Sequence, residues 1–585
     1  MVLYPRVHSC LLLVLASLAL GSTAEAFVPA TASRKPWRYA WPNTIMASST
    51  TESGRSSEYD VAGGPQLPVP PIVWSIAGSD SGGGAGVQAD LQAFHALGCH
   101  GCSVITALTA QNSHQVRKVE VSSLDMLRTT LATLEDDMPA KAIKIGMLAT
   151  ADVVRAVGIF LSEKATEGSS GAVICDPVMV TSSGSVLQDE LARQAMIDTI
   201  FPRATLITPN KHEAEMLVGY TLRTPEDLER AAHDLLAMGK SGAVLVKGGH
   251  ALDGLGGERS ASGEGLFDAA VAQDYLLESN GKSGLWITSP RLENQNTHGT
   301  GCTLSSAVAA FLAQDLPLVD AVVLAKAYVS QGIRAARKLG RGPGPVQQTG
   351  WPASASDFPW VTSRVEEGSK KRPGPFAECE RDMGLYACVA SAVWVQRLLE
   401  LGVKDIQLRI KDRPALELEH EVAEAAESCR KANARLWVND YWELAVRYKA
   451  YGLHVGQEDM DRLMNSPDLP LVAVKNEGIR LGVSTHTFAE LGRAIALRPS
   501  YISLGPIFST TSKKVRFGPQ GLARLRQWRH LVDVPLVAIG GIGLEAAQGV
   551  RDAGADGICV ISALTQASDV AQAVQAWRAV LRTGK

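Results

Sequence analysis

The chain has 585 residues, a formal charge of −3 and a charged fraction of 20%. That length exceeds what one hydrophobic core can serve, so two or three domains are expected. The near-neutral balance, with no basic run or stripe, argues against a nucleic-acid partner. Nine cysteines form an odd, scattered set that gives neither a disulfide framework nor a zinc pattern. Cys99-His100-Gly101-Cys102 has C-x-x-C spacing, but it lacks a second pair and runs into an apolar strand, so both cysteines are expected to pack.

Residues 1–70 read as a targeting sequence and leader. Arg6 precedes an apolar run at 11–20 that is too short for a comfortable membrane span. Ala24-Glu25-Ala26 supplies a small-x-small cleavage site, and residues 27–51 hold Ser, Thr, Arg, Lys and Pro without an acidic residue. A signal peptide followed by a transit-like segment, with Phe27 at the junction, resembles two-part plastid targeting. The plastid stroma is therefore the expected destination and secretion the alternative, with no membrane association of the mature chain.

From residue 72 short apolar runs alternate with helical periodicity. Strands are expected at 72–76, 104–112, 142–146, 172–176, 206–208, 243–247 and 286–288, and this βαβα rhythm predicts a mostly parallel sheet with helices on both faces. Residues 77–86 (AGSDSGGGAG) form a glycine-rich loop after the first strand. A nicotinamide site also begins with strand, loop and helix, but the glycine spacing does not fit that fingerprint. Gln111, with a donor and an acceptor, ends the second strand. Asp176 stands at another strand tip, Asn210-Lys211-His212-Glu213 at the next, and Lys247-Gly248-Gly249-His250 after that. The Gly- and Ser-rich residues 252–265 read as a surface insert.

The stretch Asn296-Thr297-His298-Gly299-Thr300-Gly301-Cys302 then runs directly into a small-residue helix pattern. A glycine turn feeding a helix aims unpaired amides at one point, with the helix dipole behind them. Such a cradle suits a phosphoryl group in flight.

These segments, in this order over about 71–345, resemble the ribokinase-fold hydroxymethylpyrimidine (phosphate) kinases. The resemblance implies a ribokinase-like α/β sandwich, ATP as co-substrate and Mg²⁺. Backbone near Gly78, the side chain of Asp90 and Gln111 would meet the substrate. Asp176, Asn210, Glu213 and Lys247 would serve the nucleotide and metal, and Gly299, Thr300 and Gly301 the transferring phosphoryl. Cys302 would accept the substrate proton, its thiol made acidic by the helix N-terminus. Pyridoxal kinase activity is the alternative within this fold; Gln111 and Cys302 favour the pyrimidine.

Residues 346–382, rich in Pro and Ser and then charged, read as an interdomain linker. From 383 to 585 eight apolar strand candidates recur, at 385–389, 406–408, 436–438, 453–455, 481–483, 501–504, 536–539 and 558–561. Eight βα units of this length close into a TIM (β/α)8 barrel with its site at the C-terminal tips. Those tips carry Gln407, Arg409 and Lys411; Asn439 and Asp440; Asp459; Ser484; Thr510 to Lys513; Gly541; and Ser562.

The segments QLR-x-K, NDYW-LA, G-H-GQED, LGVSTHT, GP-F-T-(S/T)-K and IGGI resemble thiamine-phosphate synthase, with Ile410 where many members have Glu and Ser509 where Pro is common. That family implies Mg²⁺ on Asp440 and Asp459. A pyrimidine diphosphate would lie on Gln407, Leu408, Arg409, Ile410, Lys411, Asn439, Ser484 and Lys513. A thiazole phosphate would lie on Thr510, Thr511, Ser512, Gly541, Ile561 and Ser562. Its chemistry is dissociative and needs no general base. A barrel that only senses thiamine intermediates is the non-enzymatic alternative; loss of a metal carboxylate would mark it, and both are present. Small molecules are the expected partners, and self-association is left open.

Overall fold

The computed structural model describes residues 69–166, 171–179, 190–249, 270–281, 284–364, 374–466, 470–510 and 517–582. The leader, the 252–265 insert, and Thr511, Ser512 and Lys513 lie outside these residues. Ten strands form one sheet: β1 (Ile72–Asp80), β2 (His100–Gln111), β3 (Val116–Val121), β4 (Ala142–Ile145), β5 (Ala172–Cys175), β6 (Leu206–Ile207), β7 (Ala243–Lys247), β8 (Val271–Glu278), β9 (Leu285–Pro290) and β10 (Trp360–Thr362). Their order is β10-β9-β8-β7-β6-β5-β4-β1-β2-β3. The run from β7 to β2 is parallel, and β3, β8, β9 and β10 add on antiparallel.

Side chains alternate across this sheet. Val73 and Ile174 enter one core with Phe94 and Phe311, whereas Trp74, Ile143 and Val173 enter the other with Val157 and Leu235. Cys99 and Cys102 fall on opposite sides of the same strand for the same reason, which rules out a joint redox or metal role for the C-x-x-C. Burial lifts the Cys99 thiol to about 12. Among the described residues no helix is long and apolar enough to cross a membrane.

The C-terminal part is a closed parallel barrel of eight strands: β11 (Gly384–Val389), β12 (Asp405–Leu408), β13 (Arg435–Asn439), β14 (Gly452–Val455), β15 (Arg480–Thr485), β16 (Tyr501–Leu504), β17 (Leu536–Ile539) and β18 (Gly557–Val560). Each coincides with one of the eight apolar runs in the sequence.

The structure corrects the reading of 346–382 as linker throughout. Trp360, Val361 and Thr362 pair antiparallel with Thr288, Ile287 and Trp286 and extend the N-terminal sheet. The physical reason is the β9 edge, whose amides and carbonyls need partners; Trp360 and Val361 supply them while burying their own side chains. Helix Phe488–Leu497 of the barrel covers this strand, with Gly492 at the closest approach. A Cβ on Gly492 would lie 2.6 Å from Val361 Cγ2 and 3.3 Å from the Pro359 carbonyl oxygen. Gly492→Leu is therefore expected to cost about 1–3 kcal/mol by overpacking. Thermal unfolding should show a midpoint several degrees lower; an unchanged midpoint would mean that helix and strand are not held together.

Candidate active sites at two sets of strand tips

In the first site, the glycine loop and the glycine turn form one object. Asp80, the last residue of β1, accepts hydrogen bonds from the amides of Gly82 (2.8 Å), Gly84 (3.2 Å) and Ala85 (2.9 Å), and lies 3.1 Å from His298 Nε2. Burial opposes its charge, but the His298 bond and these amides outweigh burial and hold the carboxyl below its usual range. Gly299 caps helix Thr300–Ala313 at φ +81°, and a Cβ there would fall 1.9 Å from the Gly84 carbonyl oxygen. Gly86, at φ +57°, meets the Gly78 carbonyl in the same way at 2.3 Å. Only glycine fits either place. No side chain caps the helix; the Thr300 amide donates to the Thr297 carbonyl (3.2 Å), which leaves those of Gly301 and Cys302 as the first-turn amides beside the loop that can face an anion. Asp80 and His298 were not singled out from sequence; a lone acceptor inside a glycine run was the available signal.

Two expectations are corrected here. Asp90 does not reach toward a ligand: it is fully buried, and its oxygens accept from Lys144 Nζ (2.7 and 2.9 Å), Ser75 Oγ (2.6 Å) and Ser306 Oγ (2.7 Å). Lys144 is equally buried and cannot stay charged without that carboxylate. A lysine inside the apolar strand Ala142–Ile145 was the overlooked signal. Nor is the Cys302 thiol acidic. Burial pushes it above its ordinary value and the Asp90 and Asp176 charges add to this, against Lys144 and the Gly86 amide.

Gln111 sits at the loop's rim. Its amide donates to Ser81 Oγ (2.8 Å), and Ser81 Oγ donates to its carbonyl (2.7 Å). Gly78 is buried in β1 against Met147, so only its backbone is offered to the loop.

Beside the turn, Asp176 Oδ1 accepts from Lys247 Nζ (2.8 Å) and Thr208 Oγ1 (3.0 Å). Gly301 rests on this pair: a Cβ there would lie 3.3 Å from Lys247 Nζ and 3.5 Å from Asp176 Oδ2. Asn210 and Glu213 form a reciprocal capping box on helix Lys211–Val218, the Asn210 amide donating to Glu213 Oε2 (2.8 Å) and the Glu213 amide to Asn210 Oδ1 (2.9 Å). The Asn210 oxygen thus spends one of its two lone pairs on the helix that it caps. Glu213 is lifted to about 7, by burial above all and then by the Asp176 charge, against Lys247 and the Asn210 amide.

In the second site Lys411 Nζ donates to Asp440, whose φ of +68° turns it out from the end of β13. Asp459, in the first turn of helix Gln457–Asn465, is raised by burial and by the charge of Asp440, which it faces. The two predicted metal carboxylates and Lys411 are therefore together. Asn439 is buried at the tip of β13; Leu408 and Ile410 are buried in the barrel wall and offer a ligand backbone only. Arg409 follows β12, its amide donating to Val389 (2.8 Å). Gly541 packs under Ser509, next to Thr510, and Ile561 and Ser562 open the short helix after β18.

A polar chain not foreseen from sequence crosses the barrel interior. Gln407 Nε2 donates to the Tyr386 hydroxyl (3.2 Å), which lies 2.9 Å from the Tyr501 hydroxyl; this is 2.6 Å from His454 Nδ1, and His454 Nε2 is 2.8 Å from Ser484 Oγ. One direction satisfies every member with a neutral imidazole: Tyr386 donates to Tyr501, Tyr501 to His454 Nδ1, and His454 Nε2–H to Ser484. Ser484 then keeps its own O–H for another acceptor.

Fold and sites together define a chain with two anion-handling centres, one on an open α/β sheet and one at the mouth of a (β/α)8 barrel. The sequence family described as phosphomethylpyrimidine kinase matches residues 80–347, and that described as thiamine monophosphate synthase matches residues 386–564. Over 523 residues the chain is 32% identical to the probable thiamine biosynthetic bifunctional enzyme, chloroplastic, of Oryza sativa subsp. japonica, covering 87% of this chain and 89% of that protein. It is 31% identical to the thiamine biosynthetic bifunctional enzyme, chloroplastic, of Arabidopsis thaliana, covering 91% and 94%. The hydroxymethylpyrimidine/phosphomethylpyrimidine kinase of Streptomyces coelicolor is 41% identical over 49% of this chain and 97% of its own length. The chain belongs to the family of bifunctional thiamine-biosynthetic enzymes, in which a phosphomethylpyrimidine kinase is joined to a thiamine monophosphate synthase.

Two outcomes follow from the first site. Gly301→Ala should lower kcat/KM for phosphorylation about tenfold, equivalent to about 1.4 kcal/mol, and leave condensation by the barrel unchanged; equal loss of both would show a folding defect. Glu213 binds its proton more tightly folded (about 7) than unfolded (4.5). Between those pH values the folded form holds the extra proton, so this residue's contribution to stability is full below 4.5 and is lost as pH rises through 7. Denaturant titration of the ligand-free chain should show that decline, and Glu213→Gln should flatten it.

Proposed function

We propose that the N-terminal half uses ATP to phosphorylate 4-amino-5-hydroxymethyl-2-methylpyrimidine and then its phosphate. The barrel joins the resulting diphosphate to 4-methyl-5-(2-phosphoethyl)thiazole, or its carboxylated form, to give thiamine phosphate and diphosphate. The observation that carries this reading is the pairing itself: the diphosphate made by the first reaction class is the electrophile of the second, and both matched families lie in one chain.

The residues fit Mg²⁺ in both halves. Each site sets two carboxylates against one lysine, Asp176 and Glu213 against Lys247, and Asp440 and Asp459 against Lys411. Glu213 and Asp459 both hold a proton more tightly than usual, through burial first and then through the neighbouring carboxylate, Asp176 or Asp440. Hard oxygen donors of this kind, completed by substrate phosphates, are what Mg²⁺ takes. When bound, it neutralises charge on the transferring phosphoryl group and on the leaving diphosphate.

The chain's own groups do the rest. The glycine turn at Gly299 and the amides of Gly301 and Cys302 receive the phosphoryl oxygens, with Lys247 alongside. Gln111 orients the aminopyrimidine. With its thiol held protonated by burial and carboxylates, Cys302 is better suited to hold the substrate hydroxyl in place than to take its proton early; that proton then leaves late, with the phosphoryl group. In the barrel, Gln407, Arg409, Lys411, Asn439, Ser484 and Lys513 grip the pyrimidine diphosphate. Gln457 Oε1, buried without a partner, offers an acceptor beside Ser484. Thr510, Thr511, Ser512, Gly541, Ile561 and Ser562 hold the thiazole phosphate. No side chain is needed as a base, because the thiazole nitrogen attacks a pyrimidine-stabilised cation.

A plastid destination accords with the two-part leader and with the plant relatives, whose names carry "chloroplastic"; secretion is the alternative. Partners are small-molecule substrates, with no nucleic acid and no membrane for the mature chain.

Purified protein given the hydroxymethylpyrimidine, thiazole phosphate, ATP and Mg²⁺ should make thiamine phosphate. Asp440→Ala should abolish condensation of added pyrimidine diphosphate while both phosphorylation steps run normally. If phosphorylation fell as far as condensation, the assignment of the two reactions to separate halves would be wrong.

A further inference from the structure

Asp320 lies in the first turn of helix Leu318–Ala335, in the N-terminal half, far in sequence from anything in the barrel. It is 3% exposed. Its Oδ1 accepts a hydrogen bond from the amide of Ala489 at 2.8 Å. Ala489 is the second residue of the barrel helix Phe488–Leu497, one of the positions whose amide has no partner within its own helix. Thr487 caps the next free amide, that of Glu490, in the ordinary way at 3.2 Å. The start of this helix is thus capped from two sources: its own Thr487, and a carboxylate from the other half of the chain.

The position of that helix start matters. Four residues before it, on the tip of β15, stands Ser484, the end of the polar chain through His454 and Tyr501. Between them His486 is pinned to the same first turn, its amide and Nδ1 both on Glu490 Oε2 (2.7 and 2.8 Å). The loop that leads from Ser484 to the helix is therefore held at its strand end by the barrel interior and at its helix end by contacts that include Asp320. The anchor is firm on the other side too. Lys326, on the same helix as Asp320, pairs with Asp274 at 2.6 Å, and Asp274 accepts the Gly248 amide at 3.0 Å, next to Lys247 of the first site. Phe488 is fully buried under Trp351 and Phe358, and Arg524 stacks on its ring at 4.6 Å, so the junction excludes water.

We infer that Asp320 is a positioning residue for condensation: from the phosphorylating half, it fixes the helix start that sets the Ser484 loop for the pyrimidine diphosphate. A carboxylate at a helix N-terminus is favoured by the exposed amides and the dipole, and here the carboxylate belongs to a different domain. This inference rests on the assignment of the barrel as the synthase.

The test uses the full chain. Asp320→Ala should raise the KM for synthetic pyrimidine diphosphate in condensation by about three- to tenfold, with kcat changed less than about twofold, from loss of one helix cap. Phosphorylation constants should stay within about twofold. Asp320→Asn, whose amide oxygen can still accept the Ala489 N–H, should recover most of the KM. Hydrogen exchange should quicken at residues 488–491 in the alanine variant and less in the asparagine variant. An unchanged KM with quickened exchange would overturn the inference, since the cap would exist without positioning anything. Equal loss of both activities, or no rescue by asparagine, would overturn it in favour of a general folding role. If the unsubstituted chain made no thiamine phosphate from the supplied diphosphate, the barrel assignment itself would fall, and the inference with it.

Discussion

The buried ion pair between Asp90 and Lys144 holds the first site together. Lys144 rises from the middle of β4, and Asp90 comes from the helix that follows the glycine loop. Ser75 on β1 and Ser306 on the helix after the glycine turn complete the carboxylate's bonds. Four elements thus meet on one side chain, and both glycine segments hang from those elements. Taking either charge away would strand the other in a medium without water, at a cost of about 3–5 kcal/mol. The pair also sets the local field. Lys144 draws the Cys302 thiol toward ionisation while Asp90 and burial push it back, with burial the larger influence.

Around that anchor the two halves solve the same electrostatic problem in the same way. A pocket for phosphate needs positive charge, yet one that must also release a phosphorylated product cannot be simply cationic. Each site answers with two carboxylates and a single lysine, a set with one surplus negative charge until a cation arrives. Glu213 near 7 and Asp459 above its usual range reflect burial first, with the facing carboxylate adding to it. The sheet site adds helix amides. The barrel site has Arg409 two residues before Lys411, and Gly540 and Gly541 both take positive φ at the end of β17.

The sequence made the scaffold legible wherever burial leaves a run of apolar residues. All eight barrel strands and the parallel strands of the open sheet showed in this way. β3 was missed because three of its six residues, Arg117, Lys118 and Glu120, are charged and its valines lie mostly exposed, so no apolar run marks it. β10 was missed because three residues in a Pro- and Ser-rich stretch carry no period. The site was legible at strand tips and glycine turns, where spacing is local. It was not legible where function depends on partners far apart in sequence: Asp90 with Lys144, Asp80 with His298, or the chain from Gln407 to Ser484. Asn210 and Glu213 show the converse. Their spacing served two purposes at once, a helix cap and an acidic tip, and only coordinates reveal that the cap uses the asparagine oxygen.

The segment between the halves bears on how two activities share a chain. A flexible tether would give the barrel a local concentration of diphosphate set by tether length. Here the described part of the connecting segment carries structure of its own. β10 closes the β9 edge, a helix of the barrel lies over β10, and Asp320 reaches back to cap that helix. The bacterial kinase relative aligns over 97% of its own length with only 49% of this chain, so the phosphorylating fold does not depend on an attached barrel in general. What the attachment adds in this chain is a sealed sheet edge on one side and a fixed helix start on the other. Those are the two places where a free-standing half would leave backbone amides facing water; β10 covers the first and Asp320 the second, which makes the junction a shared structural element.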